Sequence, residues 1–153
     1  MAVQNIFLAD DDADDREFFE TACAELDTQI QLQLFKNGQL LFEYLKEGEI
    51  LPDIIFLDIN MPKMDGFQCL EKIRNTLGLR DLCVIMYSTS NNKADITKSY
   101  NLRANGFVQK PYSFNELKSI LEKIFFTDWA DPCSKLDELN FILRPEYPER
   151  KQS

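Results

Sequence analysis

Asp58 closes an apolar run, "DIIFLD", and is followed at once by Asn60, Met61-Pro62 and Asp65-Gly66. A carboxylate at the end of a run that reads as a buried strand costs free energy unless a cation or donor meets it. Asp10 and Asp11 close another apolar run near the start of the chain, Ser88 closes "LCVIMYS", and Lys110 follows "GFVQ". Carboxylates drawn into one crevice repel and raise one another's pKa, a conflict that a divalent cation resolves. Mg2+ suits such a set, because it takes hard oxygen ligands and leaves positions for water and phosphate oxygens. Asp11 and Asp58 are the expected direct ligands, with Asp10 acting through water and a backbone carbonyl near Asn60 completing the protein share. Asp58 is then placed to attack a phosphoryl group and form an acyl phosphate. Lys110 offers that group a point charge and Ser88 a hydroxyl donor.

Taken alone, each residue has a plainer role. "DDADD" suits a helix N-terminus or a solvated face. A single Asp after a strand commonly caps a turn, Ser88 begins a loop, Lys110 is a surface lysine before Pro111, and Phe107 belongs to a core. The elements that must position them decide between the readings. Strands are predicted over 3–9, 30–35, 54–57, 82–88 and 106–109, and helices over 14–26, 37–48, 67–77, 93–102 and 114–126, from runs of period 2 or 3.6. Strictly alternating "IQLQLF" reads as an edge strand, and unbroken "IIFL" as a strand covered on both faces. Alternation of five strands with five helices predicts an α/β fold: a doubly wound five-stranded parallel sheet of order 2-1-3-4-5, flavodoxin-like. In that order strands one and three are neighbours, and ligands bind at the carboxyl ends of the strands. Asp10, Asp11, Asp58, Ser88 and Lys110 all fall on that edge.

The 153 residues allow one domain with a short appendage, and 44% hydrophobic with 28% charged residues is ordinary globular composition. A formal charge of −9 disfavours nucleic acid and anionic lipid as partners. No apolar run reaches a membrane span and the start lacks a signal peptide's pattern, so a cytoplasmic protein is expected. The four cysteines, Cys23, Cys69, Cys83 and Cys133, have no metal-ligand spacing and read as reduced packing residues. No histidine is present, which removes imidazole-based catalysis and histidine phosphotransfer within the chain.

In order and spacing, "IFLADDDADD", "DIIFLDINMPKMDGF", "VIMYSTS" and "ANGFVQKPYSFNEL" resemble the receiver domain of bacterial two-component response regulators over about residues 3–126. The resemblance implies that Asp58 is the aspartate phosphorylated by a histidine kinase or histidine phosphotransfer protein. It implies that Asp10 and Asp11 are the Mg2+-binding pair, Ser88 the switch hydroxyl, Phe107 the switch aromatic and Lys110 the phosphate contact. A cis Lys110-Pro111 bond is implied as well. Added phosphate brings about −1.5 to −2 charge, which Ser88 and Lys110 are placed to sense, shifting the face of the fourth and fifth strands between two arrangements. Three positions depart from the family's habit. Ser88 replaces the commoner Thr and keeps the hydroxyl. Thr89 replaces a small residue and is expected to crowd attacking water. Arg103 replaces a Gly after the fourth helix, so a strained or rebuilt turn is expected there.

Residues 1–126 are thus assigned to the receiver and 127–153 to an extension too short for a separate effector domain. Trp129, Leu136, Leu139, Phe141, Ile142 and Leu143 make that extension more apolar than a linker. A short helix over 134–143 is expected, docked on its own domain in preference to a second copy, though a homodimer stands as the alternative. The downstream partner is an unknown protein. The functional alternative is an aspartate-nucleophile phosphohydrolase, disfavoured because such enzymes carry a second Asp two positions after the nucleophile, where this chain has Asn60. A flavodoxin-like cofactor module is disfavoured because aspartates, and no Gly-rich phosphate loop, follow the first strand.

Overall fold

The computed structural model describes residues 5–26, 29–126 and 141–145. Strands β1 (Asn5–Ala9), β2 (Gln31–Phe35), β3 (Ile54–Leu57), β4 (Val84–Ser88) and β5 (Gly106–Gln109) alternate with helices α1 (Ala13–Leu26), α2 (Gly38–Glu47), α3 (Gly66–Asn75), α4 (Lys93–Asn101) and α5 (Phe114–Phe125). The sheet is parallel in the order β2-β1-β3-β4-β5, as the sequence predicts. Within these ten elements, prediction and structure differ only at the ends. β4, for example, begins at Val84, where its N–H is taken by the Asn105 side chain at 2.9 Å.

Register carries distant residues to one edge. Ala9 lies opposite Leu57, and the Asp58 N–H continues the ladder to the Ala9 carbonyl at 3.0 Å, so Asp10 and Asp58 leave adjacent strands side by side. Ser88 lies opposite Gln109, and the Lys110 N–H reaches the Ser88 carbonyl at 2.7 Å. The turn after β3 is pinned by α3. Asp65 caps that helix in a reciprocal box with Gln68, and the Gly66 N–H donates to the Ile59 carbonyl at 2.8 Å. A Cβ at Gly66 would collide with the Asp58 carbonyl, so only glycine lets the helix start this close to the acidic strand end.

Both sheet faces are covered. Phe7, Leu57, Met86 and Phe107 pack under α2, α3 and α4, while Phe19, Phe56, Tyr87 and Leu121 pack with α1 and α5. Burying each such side chain contributes about 1.5–3 kcal/mol, which offsets the cost of an acidic rim on the same sheet.

Arg103 adopts φ 69°, the left-handed conformation that the missing glycine implies. Its carbonyl is held by two Arg74 donors, Nε at 3.0 Å and Nη2 at 2.9 Å. The expected 134–143 helix is not what residues 141–143 form; 134–140, with Trp129 and Cys133, lie outside the described residues. Ile142 instead bridges β5 at Phe107, with the Phe107 N–H donating to the Phe141 carbonyl at 2.9 Å and the Leu143 N–H to the Phe107 carbonyl at 2.8 Å. The exposed edge of β5 offers unpaired backbone groups at this point, and strand pairing satisfies them where a helix cannot. Phe141 packs edge-on against Tyr100 of α4 at 5.3 Å, so this segment docks on its own domain, as expected.

Candidate functional site

Asp10, Asp11 and Asp58 converge: one carboxylate oxygen from each lies within 4.8 Å of the others. Asp10 and Asp58 are buried and Asp11 is exposed, so the cluster opens to solvent on one side. Asp10 Oδ1 accepts the Asp12 N–H at 3.0 Å, and Arg16 Nη1 donates to the Asp10 carbonyl at 2.8 Å, which fixes the bend between β1 and α1. Asp12 in turn accepts from the N–H groups of Asp14 and Asp15 and starts the helix.

Lys110 reaches the cluster from the end of β5. Its Nζ lies 2.8 Å from Asp10 Oδ2, 2.8 Å from Asp15 Oδ2 and 3.4 Å from Asp58 Oδ2, and 5.4 Å from the ring centroid of buried Tyr87. No peptide bond among the described residues is cis, so the implied cis Lys110-Pro111 bond is corrected to trans. The lysine is aimed by the Lys110 N–H bond to Ser88 and by the acids that attract its ammonium.

The electrostatics favour added positive charge at this cluster. Burial pushes the Asp58 carboxyl up to about 7; Lys110 opposes the shift, and Asp10 and Asp11 add to it. Asp10 is raised too, by burial first, with Lys110 and the Asp12 N–H opposing. Lys110 is raised despite its burial, because Asp10 and Asp15 bind its charged form. Asp10 Oδ2 receives no well-directed hydrogen bond although Lys110 lies close, so a buried acceptor is left for another partner. That orphaned oxygen, beside two more carboxylates, fits a divalent cation with oxygen ligands.

The remaining predicted residues lie on β4, on β5 and in the loop after β3. Ser88 is fully buried at the end of β4, and its Oγ accepts the Ser90 N–H at 3.1 Å. Asn60 is exposed, two residues past Asp58. Phe107 is fully buried in the core cluster that also holds Phe141. Sequence reasoning missed Asp15 as a member of the site; its only signal is its place one helical turn into an acidic run that begins at the end of β1.

The sequence matches the response regulator receiver domain family over residues 6–122. The chain belongs to that family. This receiver is 26% identical over 124 residues to response regulator Rcp1 of Synechocystis, covering 78% of this chain and 84% of Rcp1. It is 31% identical to a probable methanogenesis regulatory protein, FilR2, of Methanothrix harundinacea over 98 residues, covering 61% of this chain and 63% of that relative. Among solved structures, the Mn(2+)-bound form of Rcp1 aligns with TM-score 0.74 at 25% identity, over 82% of this chain and 96% of that one. The phosphorylated cyanobacterial phytochrome response regulator RcpA aligns with TM-score 0.74 at 30% identity, over 80% and 91%. The receiver is therefore a two-component signalling protein, and its acidic cluster fits a divalent metal site. Among the described residues no helix is long and apolar enough to cross a membrane.

Proposed function

We propose that this receiver takes a phosphoryl group on Asp58 from a histidine kinase or histidine phosphotransfer protein in the cytoplasm, and thereby changes its affinity for a downstream protein. The observation that carries the reading is the meeting of Asp10, Asp11 and Asp58 within 4.8 Å, with Lys110 Nζ 3.4 Å from Asp58 Oδ2. Asp10, Asp11, Asp58 and the Asn60 carbonyl would hold Mg2+, which supplies charge neutralisation for the transferring group. A Mn(2+)-bound relative supports a divalent ion at this kind of site.

Asp58 Oδ attacks the phosphorus, the bond from phosphorus to the donor nitrogen breaks, and the donor imidazole leaves with a proton. Lys110 follows the new negative charge, and the Ser88 hydroxyl turns from Ser90 to donate to a phosphoryl oxygen. Ser88 and Phe107 sit on the neighbouring strands β4 and β5, so a shift of the hydroxyl alters the ground on which Phe107 packs. Phe107 also carries the docked Phe141–Leu143 backbone, which connects the acid site to residues 127–153, read here as an extension of the receiver. Hydrolase chemistry is not favoured, since Asn60 cannot serve as a general acid.

Incubation with acetyl phosphate tests the reading. Intact mass should rise by one phosphate only with Mg2+, the adduct should survive brief mild acid and be lost in base, and Asp58→Asn should abolish it. Absence of the adduct from the wild-type chain with Mg2+ overturns the assignment.

A further inference from the structure

The run Asp10-Asp11-Asp12-Ala13-Asp14-Asp15 holds more acid than a metal site and a helix cap need, and Asp15 has a place of its own. Its Oδ2 meets Lys110 Nζ at 2.8 Å across 95 positions of sequence, with hydrogen-bond geometry. Asp12 Oδ1 accepts the Asp15 N–H at 3.1 Å, which holds the backbone that presents this carboxylate. An ammonium has three protons; directed bonds from this one reach Asp15 and Asp58, while Asp10 lies close as an ion pair. The Asp15 contact is shorter than the 3.4 Å contact to Asp58. It is also the outermost: the Asp15 side chain is 37% exposed, against 0% for Asp10 and 7% for Asp58.

A phosphoryl oxygen on Asp58 draws Lys110 toward Asp58, against the directed bond that ties it to Asp15. Asp15 is the contact that water replaces most easily, and it lies outside the group of oxygens that fits a cation. We infer that Asp15 is a positioning residue that competes with the phosphoryl group for Lys110. It detains the ammonium on the solvent side while Asp58 is unmodified, yields when the phosphoryl group arrives, and draws the lysine back as that group leaves. The inference rests on Asp58 being the phosphoacceptor. Its consequence is a phosphorylated state held less tightly than the other residues of the site allow.

The test uses fluoroberyllate, a non-covalent stand-in for a phosphoryl group, with the full chain, Mg2+ and 19F NMR. Asp15→Asn keeps the size of the side chain and removes its charge. It should tighten fluoroberyllate binding by about two- to fivefold, the range a part-exposed ion pair supports, and the gain should shrink as salt is raised. Affinity for Mg2+ alone should stay level or fall, because a negative charge near the cluster is lost. A gain for fluoroberyllate without a gain for Mg2+ is what loss of structural support would not produce. In a Lys110→Met background the gain from Asp15→Asn should vanish. Equal or weaker fluoroberyllate binding in Asp15→Asn, or an undiminished gain without Lys110, overturns the inference while leaving Asp58 as phosphoacceptor. A wild-type chain that takes up no fluoroberyllate overturns the reading of Asp58 itself.

Discussion

Arg74 and Asp58 are both buried, at opposite ends of one parallel sheet, with 7% and 5% exposure, and they differ in what surrounds the charge. The Arg74 guanidinium uses all five of its donors. Nε and Nη2 meet the Arg103 carbonyl, Nη1 meets the carbonyls of Arg80 and Leu82, and Nη2 also meets Asn105 Oδ1. That end of the sheet is closed: the charge stitches α3 to the segments leading into β4 and β5, and no guanidinium donor is left over. At the other end, acids crowd one lysine, a buried oxygen of Asp10 lacks a directed donor, and burial raises two carboxyls. A satisfied buried charge fixes a fold, whereas an unsatisfied one leaves room for a ligand.

The largest expected effect lies at the closed end. Arg74→Met should destabilise the fold by about 2–4 kcal/mol, because it strips donors from several buried carbonyls. Urea unfolding checks this, and a loss below about 1 kcal/mol would mean that water already serves those carbonyls. The open end should respond with the opposite sign. Asp58→Asn should stabilise the metal-free protein by about 1–2 kcal/mol at neutral pH, since it removes one buried carboxylate that repels Asp10 while Lys110 keeps Asp10 and Asp15.

The pH dependence follows from the same residue. Asp58 is raised from 3.8 to about 7 in the folded chain, so the native state binds the proton more tightly than the unfolded one. Stability contributed by this group is therefore full below about 4 and is lost as pH rises toward about 7. Without metal, the melting temperature should fall across that window more steeply in the wild type than in Asp58→Asn. Parallel curves would show that the carboxyl is not held in its protonated form by the fold.

Smaller effects refine the contrast. Arg103→Gly should stabilise by about 1 kcal/mol, by relieving the left-handed backbone at φ 69°; no gain would mean that the two Arg74 bonds already offset the strain. Thr89→Ala should speed loss of phosphate from Asp58 if the Thr89 side chain, exposed directly after Ser88, crowds attacking water as the sequence leads one to expect. An unchanged dephosphorylation rate would remove Thr89 from the account.

The two ends were not equally legible in the sequence. Strand order, the Asp10, Asp11 and Asp58 cluster and the inward aim of Lys110 followed from apolar runs that each end in a polar residue, because a parallel sheet sends all such ends to one edge. The Arg74 end was not read, although Phe67, Leu70 and Arg74 share one helical stripe, so the arginine stands where an apolar residue is expected. Its acceptors are backbone carbonyls, which no side-chain pattern announces. Asp15 escaped for a related reason: its partner is 95 positions away, and the packing of α1 against α5, the helix that follows Lys110, brings them together. Residues 141–143 were expected as helix because their apolar run was judged by itself, whereas the free backbone groups of Phe107 at the sheet edge decide their conformation.

The site claim is met most directly by locating the phosphoryl group. After acetyl phosphate treatment with Mg2+, borohydride reduction of the acyl phosphate and peptide mass mapping should place the mark on Asp58 alone. A mark on Asp10, Asp11 or Asp15, or spread among them, would contradict the assignment of Asp58 as the nucleophile.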